Sequence, residues 1–272
     1  MRPTLKNNLF FIAALAVLCF PALALAWTVT ADFDNTGFSG SGSFSGNNGS
    51  YVTVSTDRAA YGTKSAKMYM SKGDGGTYGS LTHPLVTTGA EVWARAYYYF
   101  ASPWSWGNAI NAPDSAIKVF RPIHFEVPPD QSWYLSVFGN SYNQIMLSNE
   151  AGDAQPRASV GFDIDKWQCI DMYVKLSATQ GIFRIWKNEQ LIVEDIASRT
   201  MPFAGAVSDG IAYVMSNWNN GTAQAQTMYV DEVIITTERP SKVDANKYPL
   251  IGYVGAPTAQ PKPKAPTGLS VR

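Results

Sequence analysis

Apolar and polar residues alternate with a period of two along most of the chain, in short runs separated by Gly, Asn, Pro and Asp. The clearest runs are "YVTVS", "SAKMYM", "EVWARAYYYF", "AIKVFRPIHFEV" and "SWYLSVF" in the first half. "WQCIDMYVKLS", "GIFRIWK", "QLIVED", "GIAYVMSN" and "TMYVDEVIITT" follow in the second. Successive strand side chains point to opposite faces, so this period predicts β-strands; no long window carries a helical period. "KNEQ" (Lys187–Gln190) reads as a hairpin turn and "SGSGSFSGNNGS" (Ser39–Ser50) as a flexible Gly/Ser loop. The pattern predicts an all-β protein, an antiparallel two-sheet β-sandwich or jelly roll.

The same parity divides each long run into a core face and a second face. In "EVWARAYYYF" the core set is Val92, Ala94, Ala96, Tyr98 and Phe100, opposite Glu91, Trp93, Arg95, Tyr97 and Tyr99. In "AIKVFRPIHFEV" the apolar set is Ile117, Val119, Ile123, Phe125 and Val127, interrupted by Arg121. Its other face carries Lys118, Phe120, Pro122, His124 and Glu126. Tyr134 lies on the second face of "SWYLSVF", Asp171, Tyr173 and Lys175 on that of "WQCIDMYVKLS", and Arg184 and Trp186 on that of "GIFRIWK". A curved sheet that gathered these faces would form an aromatic and basic groove. Tyr and Trp rings stack on sugar C–H faces, and Arg and Lys suit carboxylate or sulfate groups. Trp104 and Trp106 of "SPWSWGN" and Trp218 of "SNWNNG" are loop rings placed to join such a groove at its rim.

The chain ends differ in kind from its middle. Arg2 and Lys6 precede the apolar "LFFIAALAVLCF", and "ALA" (Ala24–Ala26) offers a small-residue cleavage site. Residues 1–26 therefore read as a secretory signal, leaving a domain over residues 27–239 that is exported or periplasmic. Residues 240–272 are Pro-rich and read as an extended C-terminal tail; "KAPTGLSVR" resembles the opening of a fibronectin type III module. No later segment has the length of apolar residues that a membrane span needs, so no membrane insertion is expected. The chain holds 21 basic and 21 acidic residues; without Arg2 and Lys6 the balance is 19 against 21, which argues against nucleic acid as a partner. Of the two cysteines, Cys19 belongs to the signal, so Cys169 has no disulfide partner and reads as a packed residue.

"YGTKSAKMYM", "EVWARAYYYF", "IKVFRPI", "WQCIDMYVKLSATQGIFRIWKNEQLIVED" and "MYVDEVIITTERP" occur in an order that resembles the concanavalin-A-like jelly rolls. More narrowly it resembles the polysaccharide-lyase-like branch related to heparin lyase and glucuronan lyase, over residues 27–239. The resemblance implies two stacked antiparallel sheets with a polysaccharide on the concave one. It also marks a "WN-G" turn such as Trp218–Gly221 as a recurrent structural feature.

For a lyase it implies β-elimination at a uronic acid. A cation or amide neutralises the substrate carboxylate, a His or Tyr removes the acidified C–H proton, and a Tyr can protonate the leaving oxygen. The matching residues are Arg95 or Lys118, His124 and Tyr134. The chain departs from the alginate-lyase pattern: an "RxELR"-like strand and a "QIH"-like strand are absent, and "RPIHFEV" keeps only the His. A hydrolase ranks below a lyase, because "FDIDKW" and "VDEVI" lack the carboxylate spacing of a retaining glycosidase. No cofactor is required, although related jelly rolls imply a structural Ca²⁺ at Asp32, Asp34 and Asp231. The expected partner is a polysaccharide or glycan; the remaining reading is an adhesive module that meets a protein.

Overall fold

A computed structural model describes residues 26–35, 44–46, 52–75, 78–107, 116–127, 131–149, 155–217 and 221–253. The expectations for the signal segment before Ala26, for Trp218 and for the chain beyond Tyr253 lie outside these residues.

Each of the ten alternating runs forms a strand, and four further strands join them among the described residues. In chain order they are β1 (Thr28–Ala31), β2 (Phe44–Gly46), β3 (Val52–Ser55), β4 (Ser65–Met70) and β5 (Tyr78–Thr82). Next come β6 (Glu91–Ala101), β7 (Ala116–Val127), β8 (Gln131–Asn140), β9 (Ile145–Asn149) and β10 (Gln168–Lys175). The last are β11 (Gly181–Lys187), β12 (Gln190–Ser198), β13 (Ile211–Ser216) and β14 (Gln226–Thr236). Strand β2 falls inside the expected Gly/Ser loop; its backbone extends a sheet by pairing Phe44 with Leu81, which needs no apolar alternation. The hairpin at "KNEQ" closes with Asn188 and Glu189 at φ 51° and 66°, the twist that suits a two-residue antiparallel turn.

All named strand pairs are antiparallel, in two stacked sheets. The first has the order β12-β11-β10-β6-β14-β4-β3, with β1 beside the second half of β14; the second has the order β2-β5-β13-β7-β8-β9. The core between them takes Ala94, Ala96, Tyr98 and Phe100 from β6, as alternation requires, and Ile123, Phe125, Ala212 and Val214 from the facing sheet. Tyr98 spans the layer and donates its hydroxyl to the carbonyl of Val214 at 2.6 Å. Burial holds that phenol far above its ordinary pKa, as a neutral donor.

Strict alternation fails in β7. The pairing with β8 shifts between Lys118 and Phe120 and again between Phe120 and Ile123. Two such bulges turn adjacent residues to one side and then restore the parity. Val119 and Phe120 both enter the core, whereas alternation had placed Phe120 on the second face. Arg121, which alternation had placed among apolar residues, instead stacks on Tyr213, its partner in β13.

The outer face of the first sheet carries a third layer. Residues 240–253, expected to be an extended tail, fold back across β6, β10 and β11. Leu250, Tyr248 and Ile251 pack on Trp93, Tyr173 and Trp186. The Trp186 indole N–H donates to Asp244 Oδ2 at 2.8 Å, and that of Trp93 to the Pro249 carbonyl at 3.2 Å. Hence β6 is buried on both sides.

Candidate functional site

The two sheets divide the residues expected in one groove. Arg95, Tyr97, Tyr173, Lys175 and Arg184 lie on the first sheet, whereas Lys118, His124 and Tyr134 lie on the second.

On the first sheet, Arg95 is 1% exposed, beneath the C-terminal segment. Its guanidinium donates to the carbonyl of Glu232 at 3.1 Å and to that of Gly252 at 3.1 Å, and its Nη2 lies 3.4 Å from Glu232 Oε2. Asp171, the cross-strand neighbour of Arg95, accepts the Gly252 amide at 2.9 Å. Tyr97 is buried with Ala60 and Cys169. Tyr173 donates to Glu91 Oε1. Arg184 pairs with Glu194 at 2.6 Å and lies 3.7 Å above the Tyr248 ring. These charges and rings serve the third layer and do not line an open groove; of the set, only Lys175 is exposed. Trp106 packs against Phe162 and Phe100, and Trp104 against Phe100, which makes both rings part of the packing below the expected rim.

On the second sheet, β7 and β13 bring a different group together. Arg121 sits 4.1 Å from the Tyr213 ring centroid, and its Nη2 donates to Ser216 Oγ at 3.0 Å. Tyr213 meets His124 at 6.2 Å and Tyr78 at 4.9 Å between ring centroids. His124 Nδ1 bonds to Asp209 Oδ2. The turn before β13 fixes Asp209, whose amide donates to the His124 carbonyl at 3.1 Å and whose Oδ1 accepts the Ile211 amide at 3.0 Å. A carboxylate only accepts, so the Nδ1 of His124 is the donor in this bond. The register opposite His124 is Tyr134, and Lys118 lies farther along β7, 5.6 Å from the Phe138 ring.

Sequence reasoning missed Arg121, Asp209 and Tyr213. A charged residue inside an apolar alternation was the available signal for Arg121, since a bulge is the usual way a strand turns such a residue out. Asp209 sits in a turn, where no periodicity marks it. A second imidazole lies close by: His83 stacks on Trp27 at 5.2 Å, pairs through Nδ1 with the Pro84 carbonyl at 2.8 Å, and has its pKa lowered by burial against the pull of Asp209.

The acidic positions expected to hold Ca²⁺ are engaged locally. Asp34 Oδ1 accepts the Thr63 amide at 2.7 Å, and Asp32 Oδ2 accepts the Asn35 amide group at 2.9 Å. Asp231 accepts the amides of Ala60 at 2.8 Å, Tyr61 at 3.1 Å and Glu232 at 2.9 Å. Their donor atoms do not gather among the described residues, whereas those of His124, Glu126 and Asp209 do.

No protein-family model and no curated protein matches the chain. Solved structures do. Cellulose induced protein Cip1 aligns at TM-score 0.52 and 16% identity, over 77% of this chain and 97% of that one. Alginate lyase Aly36B aligns at TM-score 0.53 and 12% identity, over 76% and 96%. Botulinum neurotoxin type C, whose cell entry depends on interaction with two ganglioside molecules, aligns at TM-score 0.50 and 12% identity, over 78% of this chain and 48% of that one. At such identities the common property is the fold: the chain is a jelly-roll β-sandwich, two stacked antiparallel sheets.

Proposed function

We propose that the protein recognises an acidic polysaccharide on the outer face of the second sheet, around β13 and β7. The observation that carries this reading is the Arg121 guanidinium held over the Tyr213 ring, 4.1 Å from its centroid, beside the His124–Asp209 pair. A guanidinium over a ring keeps its N–H groups in its own plane, the geometry that meets a carboxylate. Arg121 is 1% exposed and bonded to Ser216, so the contact would be made at the edge of the group, while Tyr213 and Tyr78 add half-buried ring surface for a sugar. Names of fold neighbours that speak of cellulose, alginate and gangliosides support a glycan as the ligand class. Retardation in gels cast with uronic-acid polymers tests it. The native protein should be retarded, and Arg121→Lys, which keeps the charge but loses the planar fork, should be retarded less; equal mobility in every gel would end the proposal.

A second reading, β-elimination, is favoured by the His124–Asp209 pair itself. The Asp209 bond occupies Nδ1, so the elimination would use Nε2, which is buried in this structure and must be uncovered to take a C–H proton beside the uronate. Tyr134, opposite His124 in the register, is the acid this reading assigns to the leaving oxygen. The ultraviolet absorbance of an unsaturated product reports this step. A lyase loses that signal in His124→Gln while keeping gel retardation, and a binding protein produces no signal in either form. The proposal also holds that residues 1–26 are removed on export, so that N-terminal sequencing of the exported protein begins at Trp27.

A further inference from the structure

The geometry points to a divalent transition-metal site formed by His124, Glu126 and Asp209. One donor atom from each of the three lies within 4.8 Å of the others. His124 and Glu126 are alternate residues of β7 and project from the same face, the face of Arg121 and Tyr213. Asp209 arrives from the turn before β13 with its orientation already set: Oδ1 is tied to the Ile211 amide, and Oδ2 is directed at the imidazole. Two ligands from one rigid strand and a third from an anchored turn need little ordering before they bind. A backbone bond from the Asp209 amide to the His124 carbonyl at 3.1 Å holds the strand and the turn in register.

The donor set selects the metal. One imidazole nitrogen with two carboxylates suits Zn²⁺ or Mn²⁺, whereas Ca²⁺ and Mg²⁺ take oxygen donors almost throughout. Burial grades across the site, from a buried His124 through a half-buried Asp209 to an exposed Glu126. Three protein donors leave at least one coordination position of the ion open for water or an oxygen ligand.

Metal at Nδ1 would also change the imidazole. Nδ1 would lose its proton to the metal bond, Nε2 would carry the remaining N–H, and His124 would be a donor and no longer a base. A loaded site therefore suits carboxylate binding, with the open position meeting a uronate oxygen, and excludes His124 as the base of an elimination. That last step rests on the glycan reading; the metal site itself does not.

The experiment uses the full exported chain without a histidine tag, stripped with chelator and titrated with ZnCl₂ and with MnCl₂ by calorimetry. One equivalent of at least one of these metals is expected to bind. The unfolding midpoint should rise by roughly 5–10 °C when that metal is about a hundredfold above its dissociation constant. Glu126→Gln should weaken binding about tenfold or more while leaving the metal-free unfolding midpoint unchanged, because the side chain is exposed. Asp209→Asn should weaken it similarly. Absence of a one-equivalent site, or equal affinity in both variants and the native protein, overturns the inference. Gel retardation with and without chelator then separates the two readings: metal binding with chelator-insensitive retardation removes the uronate bridge and leaves the metal site standing.

Discussion

Arg95 and Arg121 are both strand arginines, each 1% exposed, and their surroundings give them opposite tasks. Arg95 is enclosed by the carbonyls of Glu232 and Gly252 and by the Glu232 carboxylate. Arg95→Ala would leave these acceptors without their donor in a dry site, and is expected to cost about 3–5 kcal/mol in urea unfolding. Its folded fraction should keep full glycan retention, because Arg95 lies on the other sheet from Tyr213. Asp231 sets a pH dependence. Burial pushes its carboxyl from the ordinary 3.8 to about 8, against the opposing amides of Tyr61 and Ala60. Burial acts on Asp171 in the same direction, to about 6. The native state then holds protons that the unfolded state releases. This contribution is complete below about pH 4 and is lost as the pH rises through the folded values, with a slope up to about 1.4 kcal/mol per pH unit for each group. Urea midpoints measured between about pH 5 and pH 8 should fall with rising pH in the native protein and fall less in Asp231→Asn. The core half of this residue picture was legible, because Val92 through Phe100 obey a period of two. The partners of Arg95 were not: backbone carbonyls some 137 and 157 positions away leave no pattern in side-chain identity.

At the scale of the elements, β7 and β8 show how far alternation reaches. His124 was readable on the second face because the two bulges cancel before it, and Phe120 was misplaced because it lies between them. The chain also buries a ring that polarity and loop position had set at a rim. Trp106 occupies the space beside Gly139 of β8, where a Cβ would fall 2.3 Å from the indole ring. Glycine is required there for close approach. Gly139→Ala must displace the ring from its stack on Phe162, and the expected loss is about 1–3 kcal/mol with a lowered thermal midpoint. Near-ultraviolet circular dichroism should register the disturbed indole. An unchanged midpoint and spectrum would show that Trp106 does not fill this gap. The bend of β14 has a comparable local cause: Glu232 sits at φ 51°, where the pairing with β6 shifts, and its carbonyl is thereby offered to Arg95.

At the scale of the whole molecule the two sheets differ in what covers their outer faces. One outer face is roofed by residues 240–253, and the other carries the Arg121, His124 and Tyr213 group. A sequence reading had no means to separate them, since both faces show aromatic rings beside basic residues. What distinguishes them is a segment whose prolines read as a departing tail, yet whose Leu250 and Pro249 meet Trp93 and Trp186. A chain ending at Arg239 would uncover both indoles and leave their N–H groups without Asp244 and the Pro249 carbonyl. Each large ring contributes about 1.5–3 kcal/mol when fully buried, so the truncated protein should unfold several degrees lower and bind a hydrophobic dye that the full chain does not.

The roof has a built-in clock. Cys169 lies at 0% exposure among Tyr97, Ala60 and Tyr253, its Sγ 3.3 Å from an Asp171 carboxylate whose other oxygen holds the Gly252 amide. Burial, aided by the charge of Asp171, keeps the thiol protonated and unreactive while the roof is closed. Alkylation must await an opening, so its rate in dilute iodoacetamide times how often the turn at Gly252 lifts from the sheet. Gly252→Ala, which forces a Cβ to within 2.7 Å of Lys242 at a backbone φ of 69°, should make that clock run faster without moving the thiol.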